Sequence, residues 1–207
     1  ATGRSTTYYY DFTDRLMKVS ESGSGYSPSV GYAYDTINNL TSLVETINGT
    51  AHTTSYTYDQ DNRVTSIANG SASESYAYDA YGRVGTRTTK NNSTTVLTDT
   101  LTYKSGTGGT SAQVNTLRNA AASYDKTYTY GYDANGNITS ISDGTYSTTY
   151  VYDTANQLTR ENNQAAGKTW VYTYDKGGNI TSKKEYAYTT GTLGTVQSTI
   201  SYGYDGT

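Results

Sequence analysis

The chain has 207 residues, of which Thr, Tyr, Ser, Gly and Asn together make up 123, and its formal net charge is −3. Leu, Ile, Val and Phe number only 26, so the 25 tyrosines must supply much of the apolar surface that the fold buries. Strong helix formers are scarce and β-branched Thr is abundant, which excludes a conventional helix-rich enzyme core and favours strands.

Several kinds of chemistry lack the residues they need. The chain has no Cys and a single His, His52, which excludes thiol nucleophiles, disulfides and zinc sites built from Cys and His. The 15 Lys and Arg are scattered among 18 acidic residues, so no basic stripe marks a nucleic-acid interface. No apolar run approaches the ~20 residues of a membrane span. We therefore expect no cofactor, no nucleic-acid partner and no membrane span.

The dominant feature of the sequence is the motif YxYD, which occurs eight times at intervals of 20 to 54 residues. The longest interval contains residues 101–104 (LTYK), which we interpret as a degraded copy in which Lys104 replaces the Asp. A motif that recurs every 20 to 30 residues indicates one supersecondary unit per period. The motif Asp residues are Asp11, Asp35, Asp59, Asp79, Asp133, Asp153, Asp175 and Asp205.

The residues after each motif are regular as well. The third residue after the Asp is Gly, Asn or Asp, and an aliphatic residue follows two positions later. Gly, Asn and Asp accept a positive φ, and an Asp that opens a turn can accept hydrogen bonds from backbone N–H groups farther along. Each copy therefore predicts strand, turn and return strand. We expect positive φ at Gly82, Gly136, Gly178, Asn38, Asn62 and Asn156.

A second connection joins each return strand to the next YxY strand. Asn48-Gly49, Asn69-Gly70 and Asp143-Gly144 are pairs typical of tight hairpin turns. Short connections on both sides force antiparallel neighbours. The sequence thus predicts an all-β fold of antiparallel β-hairpin repeats, a long curved meander that is a segment of a spiral β-shell or a β-filament. The stretch 104–110 is expected to be a loop, and Gln113 to Ala122 is the single stretch where a short helix is compatible with composition.

The repeats predict a single array over residues 1–207. This array begins and stops within a repeat, so we expect either a window on a longer polypeptide or copies that stack end to end through their edge strands. The repeat boundaries are about 8–31, 32–55, 56–75, 76–100, a degraded copy at 101–127, then 130–149, 150–171, 172–201 and a truncated copy at 202–207.

Three segments carry a specific resemblance to a known family. Residues 56–67 (YTYDQDNRVTSI), 130–141 (YGYDANGNITSI) and 150–160 (YVYDTANQLTR) resemble the YD repeats of the RHS-repeat family of bacterial secreted proteins, which also includes the YD portion of teneurins. The resemblance implies a secreted or cell-surface location and a β-hairpin strip that winds into a hollow shell. In some members the shell surrounds a C-terminal toxic domain, and in others it serves adhesion.

One departure from the toxin-carrying members is clear. Those members end their core segment in a DPxG-type motif with aspartates linked to self-cleavage. Here the only Pro is Pro28, and no Asp precedes it. Neither the self-cleaving activity nor the cargo carries over to this chain.

The motif aspartates do not predict a metal or catalytic site. One Asp on every second strand places neighbours about 9.6 Å apart, whereas Ca²⁺ needs six to eight converging oxygens. Pairs of carboxylates at this spacing resemble those of glycosidases, but a turn Asp that accepts backbone hydrogen bonds is held ionised and is a poor general acid. His52 has no motif that would orient it toward a nucleophile. We therefore expect that the chain is not an enzyme.

The only Trp lies in an aromatic row, because Trp170, Tyr172 and Tyr174 share one face of a predicted strand. Such a row can stack on a sugar or pack within a β-wall, and packing is favoured since other repeats place Tyr in the same register. Two functional hypotheses result. The first is a non-catalytic structural module that associates through sheet edges or neighbouring repeats, and the alternative is a glycan-binding adhesion module that uses surface Tyr and Trp.

Overall fold

A computed structural model describes residues 3–23, 25, 27–106 and 109–204. These residues form 17 β-strands and no helix. Consequently they contain no helix that is long and apolar enough to cross a bilayer. The first eight strands are β1 (Ser5–Tyr10), β2 (Leu16–Ser22), β3 (Ser29–Tyr34), β4 (Leu40–Ile47), β5 (Thr50–Tyr58), β6 (Val64–Asn69), β7 (Ala72–Tyr78) and β8 (Val84–Asn91).

The other nine strands continue the same alternation of tyrosine strand and return strand. They are β9 (Thr94–Gly106), β10 (Gly109–Ala121), β11 (Tyr124–Tyr132), β12 (Ile138–Ser142), β13 (Ser147–Tyr152), β14 (Leu158–Asn163), β15 (Lys168–Tyr174), β16 (Ile180–Ala187) and β17 (Ser198–Ser201).

The chain divides into two compact units. The first comprises Ala1–Asp99 and Ala120–Tyr124, and the second comprises Thr100–Asn119 and Asp125–Thr207. In the first unit the strands pair antiparallel in chain order, from β1 with β2 to β7 with β8. In the second unit they pair in the same way, from β11 with β12 to β16 with β17. The all-β class and the antiparallel hairpin repeats are therefore confirmed.

The two faces of the sheet differ in composition, because side chains alternate along each strand. On the tyrosine face, the YxYD tyrosines lie opposite larger residues of the return strand, as Tyr56 does opposite Ile67. On the opposite face, the small-residue face, Ser, Thr, Ala and Gly predominate, as where Ser66 opposes Ser75, although Val171 and Tyr186 also lie on this face.

The fold buries few residues completely. Among the described side chains, Tyr186 is the one buried hydrophobic residue, and the buried polar residues are Asp99, Asn162 and Thr169. A conventional hydrophobic core is thus missing from this part of the chain. Backbone ladders and cross-strand contacts, each modest in energy, must hold the hairpins together.

Two expectations about the degraded repeat are wrong. Lys104–Gly106 belongs to β9 and residues 109–110 belong to β10, so these parts of the predicted loop are strand, while 107 and 108 lie outside the described residues. Without an Asp at position 104 no turn closes there, and the strand continues. The stretch from Gln113 is also strand as far as Ala121. Its Val114 carbonyl accepts a hydrogen bond from the Tyr132 hydroxyl at 2.9 Å, which is a contact between strands.

The connections with Asn-Gly and Asp-Gly pairs are turns, as predicted. Ile47 pairs with Thr50, so Asn48 and Gly49 form a two-residue loop with φ of 50° and 79°. At the next connection Asn69 pairs with Ala72, so the loop lies one residue later than its sequence pair suggests. The Asp143 turn is wider, and its N–H donates to the Tyr146 carbonyl at 3.1 Å.

Candidate functional site

The motif aspartates close a recurring turn, and Asp133 shows its geometry. The Asp133 N–H donates to the Asn137 carbonyl at 3.0 Å, and the Gly136 N–H donates to the Asp133 carbonyl at 3.2 Å. Its Oδ1 accepts the N–H groups of Asn135 and Asn137, both at 2.9 Å. Gly136 has a φ of 88°, and the strand register shifts by one residue beside the turn. The turn is thus a hairpin loop with a bulge, fixed by one carboxylate.

The same turn recurs at the other described motif aspartates. The carboxylate Oδ1 of Asp11, Asp35, Asp59, Asp79, Asp153 and Asp175 accepts the backbone N–H groups two and four residues later. Positive φ is present at all six positions predicted from the sequence, namely Asn38, Asn62, Gly82, Gly136, Asn156 and Gly178, and also at Asp14. Asp205 lies outside the described residues.

At six of the described motif aspartates, the second carboxylate oxygen binds the side chain of the fourth residue after the Asp. In the first unit the donor is the Nε of Arg15, Arg63 or Arg83, each at 2.7 Å, or the Nδ2 of Asn39 at 3.0 Å. In the second unit Asn137 donates from Nδ2 to Asp133 at 2.9 Å, and Asn179 does the same to Asp175.

These hydrogen bonds favour the ionised carboxylates. The hydrogen bond from Arg63 lowers the pKa of Asp59, and the one from Asn137 lowers the pKa of Asp133. At Asp35 desolvation acts in the opposite direction, but the hydrogen bonds from the Asn39 backbone and side chain outweigh it and lower the pKa. Such carboxylates are poor general acids. No group of three or more His, Asp or Glu within the described ranges is arranged to hold a metal ion.

The fourth residue also reaches the turn of the next repeat. Arg15 Nη1 donates to Asn38 Oδ1 at 2.8 Å, and Asn137 Nδ2 donates to Asn156 Oδ1 at 2.8 Å. We call this series of contacts the turn ladder. Where the next turn has Gly at the position with positive φ, a long side chain fills the space: a Cβ built on Gly82 would lie 3.3 Å from an Arg63 nitrogen. The residue with positive φ in one turn and the side chain that reaches it from the preceding repeat are therefore complementary in size.

The second tyrosine of every described motif after the first makes a further bond between repeats, which we call the tyrosine staple. Its hydroxyl donates to a carbonyl of the preceding return strand, which belongs to the first residue of that strand in six staples and to Val114, within β10, in the seventh. The backbone ladder does not extend that far; for example, the β4–β5 pairs stop at Ser42 and Ser55, two residues beyond Leu40. The staples, at 2.7–3.0 Å, are Tyr34–Leu16, Tyr58–Leu40, Tyr78–Val64, Tyr132–Val114, Tyr152–Ile138, Tyr174–Leu158 and Tyr204–Ile180.

Trp170 and Tyr172, the residues proposed from the sequence for glycan contact, lie on the tyrosine face in β15. The Trp170 Nε1–H donates to Glu185 Oε2 at 3.2 Å, and the Lys183 ammonium lies 4.8 Å from the centre of the Trp170 ring. The Tyr172 hydroxyl donates to Glu161 at 3.3 Å, and desolvation together with the negative charge of Glu161 raises its pKa to about 12. Both polar groups are thus engaged within the sheet.

The structure also contains a polar cluster that the sequence did not indicate. On the small-residue face of the second unit, Thr169 is completely buried beneath the segment that follows β16. The Thr189 N–H donates to Thr169 Oγ1 at 3.0 Å, and Arg160 Nη2 donates to the carbonyls of Thr189 and Gly191 at 2.6 and 3.0 Å. Asn162 completes this cluster by accepting from Arg160 Nε at 2.7 Å. Only the tertiary path of the segment brings these residues together.

A known family of repeats matches a part of the chain that contains several of these turns. The model of the RHS repeat matches residues 132–163 and 152–192. Residues 132–192 therefore contain RHS repeats. The matched RHS repeats include the turns at Asp133, Asp153 and Asp175, and the turns at Asp11 to Asp79 have the same hydrogen-bond geometry outside the matched range.

Two solved structures resemble the chain at low identity. One is the Tc holotoxin pore of Photorhabdus luminescens, at 14% identity over 90% of this chain with a TM-score of 0.45. The other is a porin-like protein from Bacteroides uniformis, at 14% identity over 89% of this chain and 89% of that chain, with a TM-score of 0.38. The chain spans only 14% of the length of that holotoxin chain. No curated protein matches.

Proposed function

We propose that the chain is a non-catalytic structural module of a secreted or cell-surface RHS-repeat protein, in which it forms part of a β-shell or an extracellular fibre. The tyrosine staple is the observation that carries this proposal. In each staple a tyrosine hydroxyl is hydrogen-bonded to the preceding repeat, and each motif carboxylate is likewise hydrogen-bonded within its own turn. Its partners in this role are neighbouring repeats, either in one polypeptide or in another copy that meets it at a sheet edge.

Electron microscopy of the secreted polypeptide that carries these repeats tests the structural role. We expect a hollow curved particle or a long fibre, because hairpins joined only to their neighbours extend a wall rather than close a compact core. A compact solid particle of the size expected for a globular protein would contradict the proposal.

A glycan-binding adhesion module is the second candidate, and the Trp170 patch favours it. Trp170 and Tyr172 combine aromatic rings with the charges of Lys183, Glu161 and Glu185 on one face. Against it, Lys183 already covers the Trp170 ring at 4.8 Å. A glycan array separates the two candidates: a structural wall binds no glycan, whereas an adhesion module binds at least one and loses that binding in Trp170→Ala.

A further inference from the structure

The segment between β16 and β17, residues 188–197, lies on the small-residue face instead of closing a tight turn. We call this segment the strap. The Thr189 N–H donates to Thr169 Oγ1 at 3.0 Å, and the Thr169 hydroxyl lies 3.1 Å from the Thr189 carbonyl oxygen. At the start of the strap, the Tyr188 N–H donates to the Gly167 carbonyl at 3.0 Å. The backbone of the strap is thus held against β15.

Matched positions in other repeats show what the strap changes. Thr169 lies six residues before its motif aspartate, and Thr53 and Thr127 lie at the same distance before Asp59 and Asp133. Thr169 has no exposed surface, whereas Thr53 and Thr127 are both exposed. Of these three threonines at one register position, the one that is buried is therefore the one that the strap covers.

Arg160 holds the strap from the neighbouring return strand, β14. It lies seven residues after its motif aspartate, where the preceding repeat has Ser140. Arg160 Nη2 donates to the carbonyls of Thr189 and Gly191 at 2.6 and 3.0 Å, and its Nε donates to Asn162 Oδ1 at 2.7 Å. Hydrogen bonds from a charged donor are stronger than those between neutral groups. The guanidinium is thus oriented by Asn162 and binds the strap backbone at two points.

These contacts join two strands that do not pair with each other. Arg160 belongs to β14 and the strap follows β16, while β15 pairs with both and lies between them. Within β15, Thr169 pairs with Asn162 on one side and with Tyr186 on the other. These three residues are three of the four that are buried in the described part of the chain. The strap therefore covers a buried row that crosses three strands.

We propose that the strap is a conformational clamp: Arg160 and Thr169 hold it closed on the small-residue face, and the closed strap makes β14, β15 and β16 open together instead of strand by strand. The inference goes beyond the structural role, which requires bonds between neighbouring strands and no clamp across them. It assigns to Arg160 and Thr169 a resistance to local opening that the staples alone do not provide.

Exchange of the Thr189 amide hydrogen reports directly on strap closure, because this N–H donates to Thr169 Oγ1. Two variants of the full chain each remove one holding group: Thr169→Val removes the hydroxyl, and Arg160→Met removes the guanidinium. Thr127→Val is the matched control at the exposed register position. Arg118→Met removes a guanidinium from an exposed ion pair in the same unit. Thr169→Ser keeps the hydroxyl and should behave as the parent chain does.

We expect Thr169→Val and Arg160→Met to speed exchange of the Thr189 amide by roughly tenfold or more. Both should also let chymotrypsin cleave after Leu193, which is half-buried in the closed strap. In the parent chain, the amides of β14, β15 and β16 should share one opening free energy when exchange is measured in increasing denaturant. In the two variants the three strands should open at different free energies.

Unchanged Thr189 exchange in both variants would overturn the proposal, as would equal acceleration in Thr127→Val and Arg118→Met. The β11 and β12 amides are the internal reference, because a variant that unfolds globally accelerates them as well. In that event the parent chain decides. Rapid cleavage after Leu193, or separate opening free energies for β14, β15 and β16, would refute the clamp, whereas resistance and one shared value would support it.

Discussion

At the scale of single residues, the turn requires a positive φ at the third position after the aspartate. Gly136 has a φ of 88°, and a Cβ built there would meet its nearest neighbour, Gln113, at an ordinary 3.6 Å. Space is therefore available for a side chain, and only the backbone conformation opposes one. A substitution at Gly136 therefore tests backbone strain without steric crowding of the added Cβ.

Gly136→Val should lower the free energy of unfolding by more than ~1 kcal/mol, because a β-branched residue is strained at positive φ. Urea denaturation measures the loss. Gly203→Val is the matched control, since Gly203 has no neighbour within 4 Å and no positive φ. Asn137→Val is unsuitable as a control, because the Asn137 amide bonds Asp133 and Asn156. Equal losses at positions 136 and 203 would refute the assigned turn.

A second prediction at this scale concerns pH. Asp143 binds the Lys126 ammonium, and its Oδ1 accepts the N–H groups of Tyr146 and Thr145. The hydrogen bond from Lys126, together with those from the two N–H groups, lowers the pKa of Asp143 from 3.8 to about 2. A pKa that is lowered on folding contributes stability that is complete above the unfolded value and is lost as pH falls from 3.8 through about 2. Thermal unfolding between pH 5 and pH 2, as a rough range, should show this loss.

Two variants identify the source of that pH dependence. Asp143→Asn keeps an oxygen that accepts both N–H groups but cannot titrate, so its melting temperature should fall less steeply with acid. Lys126→Met removes the ammonium and leaves the carboxylate, so its acid-dependent loss should be smaller than in the parent chain. A parent-like slope in Asp143→Asn would assign the effect to other carboxylates.

At the scale of the strand and its neighbour, the staple closes a gap in the backbone ladder. The Leu40 carbonyl lies two residues beyond the last β4–β5 pair, and the Tyr58 hydroxyl donates to it at 2.8 Å. When the donor to a half-buried carbonyl is removed and water replaces that donor incompletely, the folded protein loses stability.

Tyr58→Phe should therefore cost about 1 kcal/mol of unfolding free energy. Tyr10→Phe is the natural control, since it makes the same chemical change where the hydroxyl has no acceptor in the described chain. It should change stability by less than about 0.5 kcal/mol. Chemical denaturation of both variants decides, and a cost at Tyr10 equal to that at Tyr58 would exclude the staple as a source of stability.

The sequence predicts this local structure well where turn chemistry is explicit. Asp133 and Gly136 specify a turn by residue type alone, and that turn forms. The prediction fails at Lys104, where composition indicated a loop but the strand continues to Gly106. It also could not find the contact of Arg160 with Thr189, which are 29 residues apart. Such contacts depend on the path of the chain, which local pattern does not encode.

At the scale of the whole molecule, the repeats make mainly nearest-neighbour contacts. Within the described part of each unit, the strand pairs that pack together are successive in sequence, such as β13 with β14 and β14 with β15. Staples and turn-ladder bonds follow the same rule, because each joins one repeat to the next. The stability of such an array is the sum of the intrinsic stability of each repeat and the interaction energies between neighbouring repeats. A destabilising substitution in one repeat therefore affects mainly the repeats next to it.

Hydrogen exchange in Gly136→Val tests this local character. The substitution lies in the turn between β11 and β12, so amides of β12 and β13 should exchange at least several-fold faster than in the parent chain. The effect should decline through β14 and be smallest in β16, within the same unit. Gly203→Val provides the baseline for a substitution without strain. A uniform increase from β12 to β16 would show that this unit unfolds as one cooperative block, contrary to the nearest-neighbour account.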